Sequence, residues 1–584
     1  MNESVHKTEH VEDQISDPAS ISDKLTGEDS GKEEKDAEAE PEWNWFDIPF
    51  RQPIYSCDTG PRFPQELFER ICEFLWDEPV QLAVSCTRIC PAWYHAARRL
   101  LPLPEWKITC RTREALQDHA HTLISRRNAP YRKRFKSLWI YDNASKPFAH
   151  VWPMFIPGSM LPELWSVHLV NLDWSTKMPH DSFFIHLSSY TSVLNLQMYH
   201  CRFRSLPDLR RVINALPNLM SLELYKVTLQ HPLRPGLVPD YIALRARSHK
   251  LESVDLYGSN PRQEYPDVSS DYQGPTAQAL LHMVAANSST VTRLTLDLRF
   301  FASLSALWHY LAHFRRLASF EAWYQFASSP SMITFEETIP AHTEDTPIHS
   351  WSKFTLTEVP DRSALQLLQL LVTPKSCSEL EEFQIHLTDR PSATLVSCTS
   401  RVLHTSGHRL SGLMWRCSAD LDLEVTPSLA GNTSLQRLDI RLQDVAPSPQ
   451  KIHSALTAVL SDIVSVDLQH VYIRFTLACL EVLPQDHGRT PAVLDPAESI
   501  SAFHAILSRE IFNGLPLRTA DKGVWVVFDV GDIHGNLAVV ATIKAYMITL
   551  FTPWLDRGIV ELRFNWMDSV ETITCAPTSK YAQW

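Results

Sequence analysis

A chain of 584 residues with 44% hydrophobic content has the length for several domains or one extended repeat array, and enough apolar side chains to fold most of it. A formal charge of −13 argues against general nucleic-acid binding, and no window approaches the apolar run that spans a bilayer. The eleven cysteines are odd in number, scattered from Cys57 to Cys575, and contain no C-x-x-C pair, so neither zinc nor disulfides are indicated.

Residues 1–42 read as a disordered acidic tail. Thirteen of the first forty residues are Asp or Glu, four are Lys and none is aromatic, too little apolar surface to offset the entropy of ordering. The tail shows no secretory pattern, so the chain is expected in the cytoplasm or nucleus. Residues 43–62 carry Trp43, Trp45, Phe46, Ile48, Phe50, Ile54 and Tyr55, an aromatic segment expected to pack on the helices next to it in the chain.

Residues 63–101 read as three short helices. Pro64 suits a first helical turn, and Leu67, Ile71, Phe74 and Leu75 make one apolar stripe. Asp77-Glu78-Pro79 ends that helix and opens the next, which carries Leu82, Val84 and Cys86. Pro91 opens a third with Trp93, Ala96, Ala97 and Leu100. Three helices of this size bury too little by themselves, so their apolar faces call for a neighbour.

Phe63-Pro64, Glu66-Leu67, Ile71, Leu75, Leu82, Ile89-Cys90 and Trp93 resemble an F-box, whose usual pattern is Leu-Pro, Glu-Leu, Ile, Leu, Leu, Val-Cys and Trp. Phe63 stands for the usual leucine, and Pro91 lies inside the Cys-x-x-Trp segment. The resemblance implies docking to the Skp-type adaptor of an SCF ubiquitin ligase, and through it to cullin, with Phe63, Pro64, Leu67, Ile71, Leu75, Leu82, Ile89, Cys90 and Trp93 as the adaptor-binding residues.

Residues 102–134 read as a helical linker with one helix near Thr112–Ser125; His119 and His121 lie two apart, a spacing that does not share a helical face. From Phe135 a phrase apolar-x-x-apolar-x-apolar recurs: Phe135, Leu138, Ile140; Leu164, Val167, Leu169; Val193, Leu196, Met198; Leu219, Leu222, Leu224. It continues through Leu251, Val291 and Leu317, then in weaker copies at Trp351, Leu380, Leu410, Leu435, Ile463 and Ile559. The step is about 25 to 35 residues, the range of leucine-rich repeats.

Helix-period segments fill the gaps at Asp208–Leu216, Thr276–Ala286, Leu304–Phe314, Arg362–Val372, Ile452–Ile463, Ile500–Ile511 and Leu537–Thr552. The unit from Cys201 aligns with that from Arg299: Phe203, Leu206, Leu209, Ile213 and Leu216 fall opposite Phe301, Leu304, Leu307, Leu311 and Phe314. The units resemble the irregular leucine-rich repeats that accompany F-boxes in expanded families of mushroom-type fungi. Where a regular repeat places asparagine, this chain has Leu172, Cys201, Val227 and Arg299, so apolar packing replaces an asparagine ladder. The expected fold class is α/β, a short helical F-box and an irregular leucine-rich-repeat solenoid over 135–566, with a C-terminal tail at 567–584. Gln230–Lys250, Gly258–Pro275 and Ser328–Ser350 read as surface inserts.

One stretch suggests chemistry. Asp529-Val530-Gly531-Asp532-Ile533-His534-Gly535, after the apolar run Val524–Phe528, resembles the first metal-binding motif of metallophosphoesterases, and Asp556-Arg557-Gly558 resembles part of the second. The further elements of that family do not occur: only 26 residues remain after Gly558, with no histidine among them. No phosphate-cradling or nucleophile-elbow motif is present. The leading expectation is a non-catalytic receptor, without cofactor or metal, whose repeats hold an unidentified target protein. Its alternatives are a metallophosphoesterase and a repeat scaffold outside any ligase. Trp308, Tyr310, Trp323 and Tyr324 are candidate anchors for the target or, as is commoner for such rings, core.

Overall fold

The computed structural model describes residues 65–74, 93, 96, 106–175, 179–232, 251–258, 274–324, 350–371, 374–418, 426–445, 448–477, 496–519, 522–530, 537–565 and 570–574. They belong to two compact units, Met1–Pro104 and Glu105–Trp584.

In the first unit Gln65–Phe74 is a helix with Glu66 in its first turn, where a carboxylate complements the helix dipole. One face turns inward. Cys72 and Ala96 are fully buried, and the Phe68 ring meets that of Trp93 edge-on, with centroids 5.3 Å apart. Phe63, Pro64, Leu75, Leu82, Ile89 and Cys90, together with 1–42 and 43–62, lie outside the described residues.

The second unit is mixed α/β around a large, mostly parallel sheet. Its strands are β1 (Trp106–Cys110), β2 (Phe135–Tyr141), β3 (Ser166–Val170), β4 (Asp173–Trp174), β5 (Asn195–Tyr199), β6 (Arg202–Ser205), β7 (Ser221–Tyr225), β8 (Thr228–His231), β9 (Ser253–Tyr257) and β10 (Arg293–Asp297). They continue with β11 (Ser319–Trp323), β12 (Lys353–Val359), β13 (Glu382–Leu387), β14 (Gly412–Ser418), β15 (Arg437–Val445), β16 (His470–Leu477), β17 (Gly523–Asp529), β18 (Val560–Asn565) and β19 (Val570–Ile573). β4, β6 and β8 form a small sheet of their own, and the other sixteen lie side by side in the order of the chain. Neighbours are parallel except for β18 and β19, which are antiparallel.

The repeated phrase sets the register. Its second apolar residue forms one buried ladder from Ile108 opposite Leu138 and Leu138 opposite Val167 to Val471 opposite Val524. Its third forms another, from Cys110 opposite Ile140 through Ile385 opposite Trp415 to Ile473 opposite Val526. Because side chains alternate across a strand, both ladders share one sheet face, and the buried faces of the intervening helices close a single core over it.

Those helices begin where local chemistry allows. Proline stands in the first turn of Leu206–Ala215, Pro275–Ala285 and Pro449–Ser461. Ser303, Ser392 and Ser448 cap Leu304–Leu311, Ala393–Ser406 and Pro449–Ser461 by accepting from the amides of Ala306, Leu395 and Lys451. After β3, β5 and β7 the chain turns through Asn171, His200 and Lys226, each left-handed with φ between 50° and 57°. Leu172, Cys201 and Val227 come next, all buried, in the positions where the asparagines of a regular repeat would stand. The fourth such position holds Arg299, buried and ion-paired to fully buried Asp297.

Three expectations need correction. The sheet begins at Trp106, inside the span assigned to a helical linker, because β1 pairs with β2; the helix expected near Thr112–Ser125 is Arg113–Ile124, capped by Thr112. The tail assigned to 567–584 contains β19. The copy placed at Ile463, Val466 and Leu468 is displaced: Val466 is 64% exposed, and the strand is β16, with Leu468, Val471 and Ile473 supplying the phrase. The inserts lie largely outside the described residues. No helix among the described residues is long and apolar enough to cross a membrane.

Candidate interaction surfaces

On the first unit, Cys72 is buried and Phe68 packs on Trp93, which leaves Leu67 and Ile71 on the adjacent face of their helix. Four residues apart, they share one face, at 47% and 45% exposure. Of the nine expected adaptor-binding residues, the described ones are Leu67, Ile71 and Trp93; the first two are open to solvent and Trp93 packs on Phe68.

On the second unit, the residues between the two buried ladders point to the opposite sheet face. One row runs Trp139, His168, Gln197, Glu223, Asp255, Thr295, Glu321 and Thr355 across β2 to β12. The adjacent row holds Tyr141, Tyr199, Tyr225, Tyr257 and Trp323, the residues that come directly after the phrase. Tyr199, Tyr225 and Tyr257 stack in sequence at 4.5 Å with planes within 7° of parallel, and Trp323 meets Tyr257 edge-on at 4.9 Å. Trp139 stacks on His168 at 3.8 Å.

Three carboxylates lie beside the rings. Glu223 accepts from Gln197 Nε2 at 2.8 Å, Asn195 Nδ2 at 3.3 Å and the Tyr225 hydroxyl at 3.1 Å. Glu321 accepts from the Thr357 hydroxyl at 3.1 Å. Burial raises the Asp255 carboxyl to about 6, and Glu223 and Glu321 push it the same way. Burial also raises Glu321. Among the described residues none of the three forms an ion pair.

Towards the other end, the row after the phrase becomes basic: His386, Arg416, Arg441 and Arg474 stand directly opposite one another on β13 to β16. Arg441 grips Asp439 with two hydrogen bonds, at 2.9 and 2.7 Å, and Arg474 pairs with Asp529. Glu561 is held by Arg563 at 2.7 Å and Arg518 at 3.0 Å, and Glu382 by Lys353 and Arg437. With its amide oxygen turned to it, Gln443 accepts from Arg416 at 2.7 Å. Burial, then Arg416 and Arg441, hold the His386 imidazole neutral, its pKa lowered to about 3.

The phosphoesterase-like stretch does not assemble a metal site from its described members. Asp529 ends β17 and is engaged by Arg474 and, at 2.7 Å, by Asn565 Nδ2. The helix Leu537–Leu555 returns to the start of parallel β18, so Asp556 lies at the opposite end of the strands from Asp529. Asp532 and His534 lie outside the described residues. Among the described residues no three potential ligands converge on a metal position. The described cysteines are buried and form no disulfide with one another, and burial pushes the Cys110, Cys201 and Cys417 thiols up to about 12.

Of the four anchors weighed in the sequence, Trp323 and Tyr324 are buried, and Tyr310 packs between Phe301 and Phe314 with its hydroxyl on the Leu281 carbonyl. The tyrosine stack and the arginine row were missed. The signal was present, since the residue after the phrase is aromatic in Tyr199, Tyr225 and Tyr257 and basic in Arg416, Arg441 and Arg474.

A comparison with models of known protein families finds no match to the chain, and a search of curated proteins finds none.

Proposed function

We propose that the chain is a non-catalytic substrate receptor of an SCF-type E3 ubiquitin ligase, an F-box joined to an irregular leucine-rich-repeat solenoid, working in the cytoplasm or nucleus. The helix Gln65–Phe74 docks on a Skp-type adaptor, and the repeats hold a target protein near the charged E2, raising the effective concentration of its lysines. The observation that carries the reading is the Leu67–Ile71 face. Two large aliphatic side chains one helical turn apart stay nearly half exposed while Cys72 is buried and Phe68 packs on Trp93. Such a face gains by burial against a groove, about 1.5–3 kcal/mol for each side chain fully covered. The strand order and the repeated phrase support the solenoid.

The test is Leu67→Asp, which puts a charge on the docking face at a position that tolerates exposure in the free protein. The variant stays folded and loses the adaptor on co-purification; adaptor retained at the wild-type level overturns the reading. Cullin co-purifying with the adaptor separates a ligase subunit from a scaffold that never enters a ligase.

A further inference from the structure

We propose that the sheet face from β5 to β12 binds an extended segment of a partner polypeptide bearing lysine or arginine, its cations meeting Glu223, Asp255 and Glu321 and its aliphatic stems lying along the Tyr199–Tyr225–Tyr257 wall. The inference rests on the receptor reading for its partner being a protein, and adds where that partner binds and by what chemistry.

Two independent observations carry it. The first is a row of carboxylates with no ion pair among the described residues. Glu223, Asp255 and Glu321 share one row of one sheet face, close enough for Glu223 and Glu321 both to disfavour ionisation of Asp255. Arg293 favours the Asp255 carboxylate and Lys353 that of Glu321, but burial outweighs both; Lys353 is paired with Glu382 at 3.0 Å, and Arg293 is exposed. Like charges in neighbouring strands destabilise a sheet unless something of opposite sign is supplied.

The second is a set of buried polar atoms on the same face with no hydrogen-bond partner among the described residues: Asn195 Oδ1 on β5, Trp323 Nε1 on β11 and Thr355 Oγ1 on β12. Their residues are 9%, 3% and 6% exposed. Buried groups left in this way are costly, and here they flank the carboxylates. A bound chain offers both donors and acceptors to them.

The aromatic wall selects the form of the cation. The rings cover one another's faces, so what they offer is a flat, rigid edge rather than an open π-face. A lysine or arginine packs its methylene stem on such an edge while its head reaches the carboxylates. From β5 to β11 is four strand steps of about 4.8 Å, near 19 Å, the length of roughly six extended residues. The phosphates of a nucleic acid would meet the carboxylates with like charge.

The experiment measures binding of a fluorescein-labelled, roughly ten-residue peptide of alternating lysine and serine to the full chain by fluorescence anisotropy, with alternating glutamate and serine as control. The lysine peptide binds and the glutamate peptide does not. The double variant Glu223→Gln/Glu321→Gln, which keeps hydrogen-bonding groups in place, weakens binding about tenfold or more. Asp439→Asn removes a carboxylate from the distant part of the same face and leaves binding unchanged. Should the double variant unfold, Glu321→Gln alone gives the same comparison. Undiminished binding in the glutamine variants, equal loss in Asp439→Asn, or no binding of the lysine peptide overturns the proposal. Adaptor co-purification with the same variants keeps the two readings apart, because adaptor retained without peptide binding removes the basic segment and leaves the receptor reading standing.

Discussion

The two halves of one sheet face handle charge in opposite ways. From β13 to β18 acidic groups have arginine partners, often two residues away on the same strand, as in Asp439 with Arg441 and Glu561 with Arg563. From β5 to β11 the row carboxylates Glu223, Asp255 and Glu321 have hydroxyls, amides and rings around them and no ion pair among the described residues. The backbone is the same throughout, with parallel strands and two buried ladders. The alternation rule fixes which residues face outward but not whether they satisfy one another. A self-paired face has little left to offer a charged partner, whereas an unpaired one pays in stability for what it can offer.

The largest effect should come from the exception in the aromatic half, Asp297, which is fully buried with Arg299. Asp297→Ala leaves a buried guanidinium without its carboxylate and should cost about 3–5 kcal/mol in chemical denaturation. A loss below about 1 kcal/mol would mean that even paired charges here are dispensable, and would weaken the contrast.

Asp255→Asn should act in the other direction. Between the carboxyl's ordinary value of 3.8 and about 6, the folded protein holds a proton that the unfolded chain releases, so wild-type stability falls as pH rises. Removing the charge should therefore stabilise the protein at neutral pH, by up to about 3 kcal/mol for a shift of about two pH units, with no gain below pH 3.8. Denaturation midpoints across pH measure this, and a destabilised Asp255→Asn at pH 7 would count against an unpaired carboxylate there.

His386 supplies the mirror image. Between about 3 and its ordinary 6.5 the unfolded chain holds a proton that the folded imidazole lacks beside Arg416 and Arg441, so wild-type stability rises with pH. His386→Asn should flatten that slope. Opposite changes in slope for the Asp255 and His386 variants would sharpen the comparison, and changes of the same sign would break it. The smallest effect belongs to Arg441→Ala, whose pair with Asp439 is partly exposed; about 1 kcal/mol or less is expected in the same measurement.

Much of this architecture was legible in the chain. The phrase Leu219, Leu222, Leu224 marks β7, and the helical period marks Leu537–Leu555. The failures have local causes. β1 escaped because Glu105 stands where the phrase begins with an apolar residue, leaving Ile108 and Cys110 alone. Around Leu468 two overlapping phrases compete, and the second wins because the alternation from His470 to Leu477 is sustained for the whole strand. The face chemistry was harder to see, since Tyr199, Tyr225 and Tyr257 lie 26 and 32 residues apart, and only the parallel register brings their rings together. Leu67 and Ile71 were visible as a stripe, but the stripe alone did not say that Phe68 would pack on Trp93.

β19 bears on how the row of parallel strands ends. A row of parallel strands built from one recurring phrase has no intrinsic stopping rule, because the edge after any copy is shaped to accept another. β19 runs the other way and lies exposed or half-exposed along its length, with Lys544 pairing to Glu571. The edge it presents has the wrong polarity for a further repeat and offers no buried ladder to extend. Shaving off this short strand would expose the β18 edge, with the phrase residues Leu562 and Phe564 behind it, to strand addition from another chain. Four residues of reversed direction thus close the series of parallel strands.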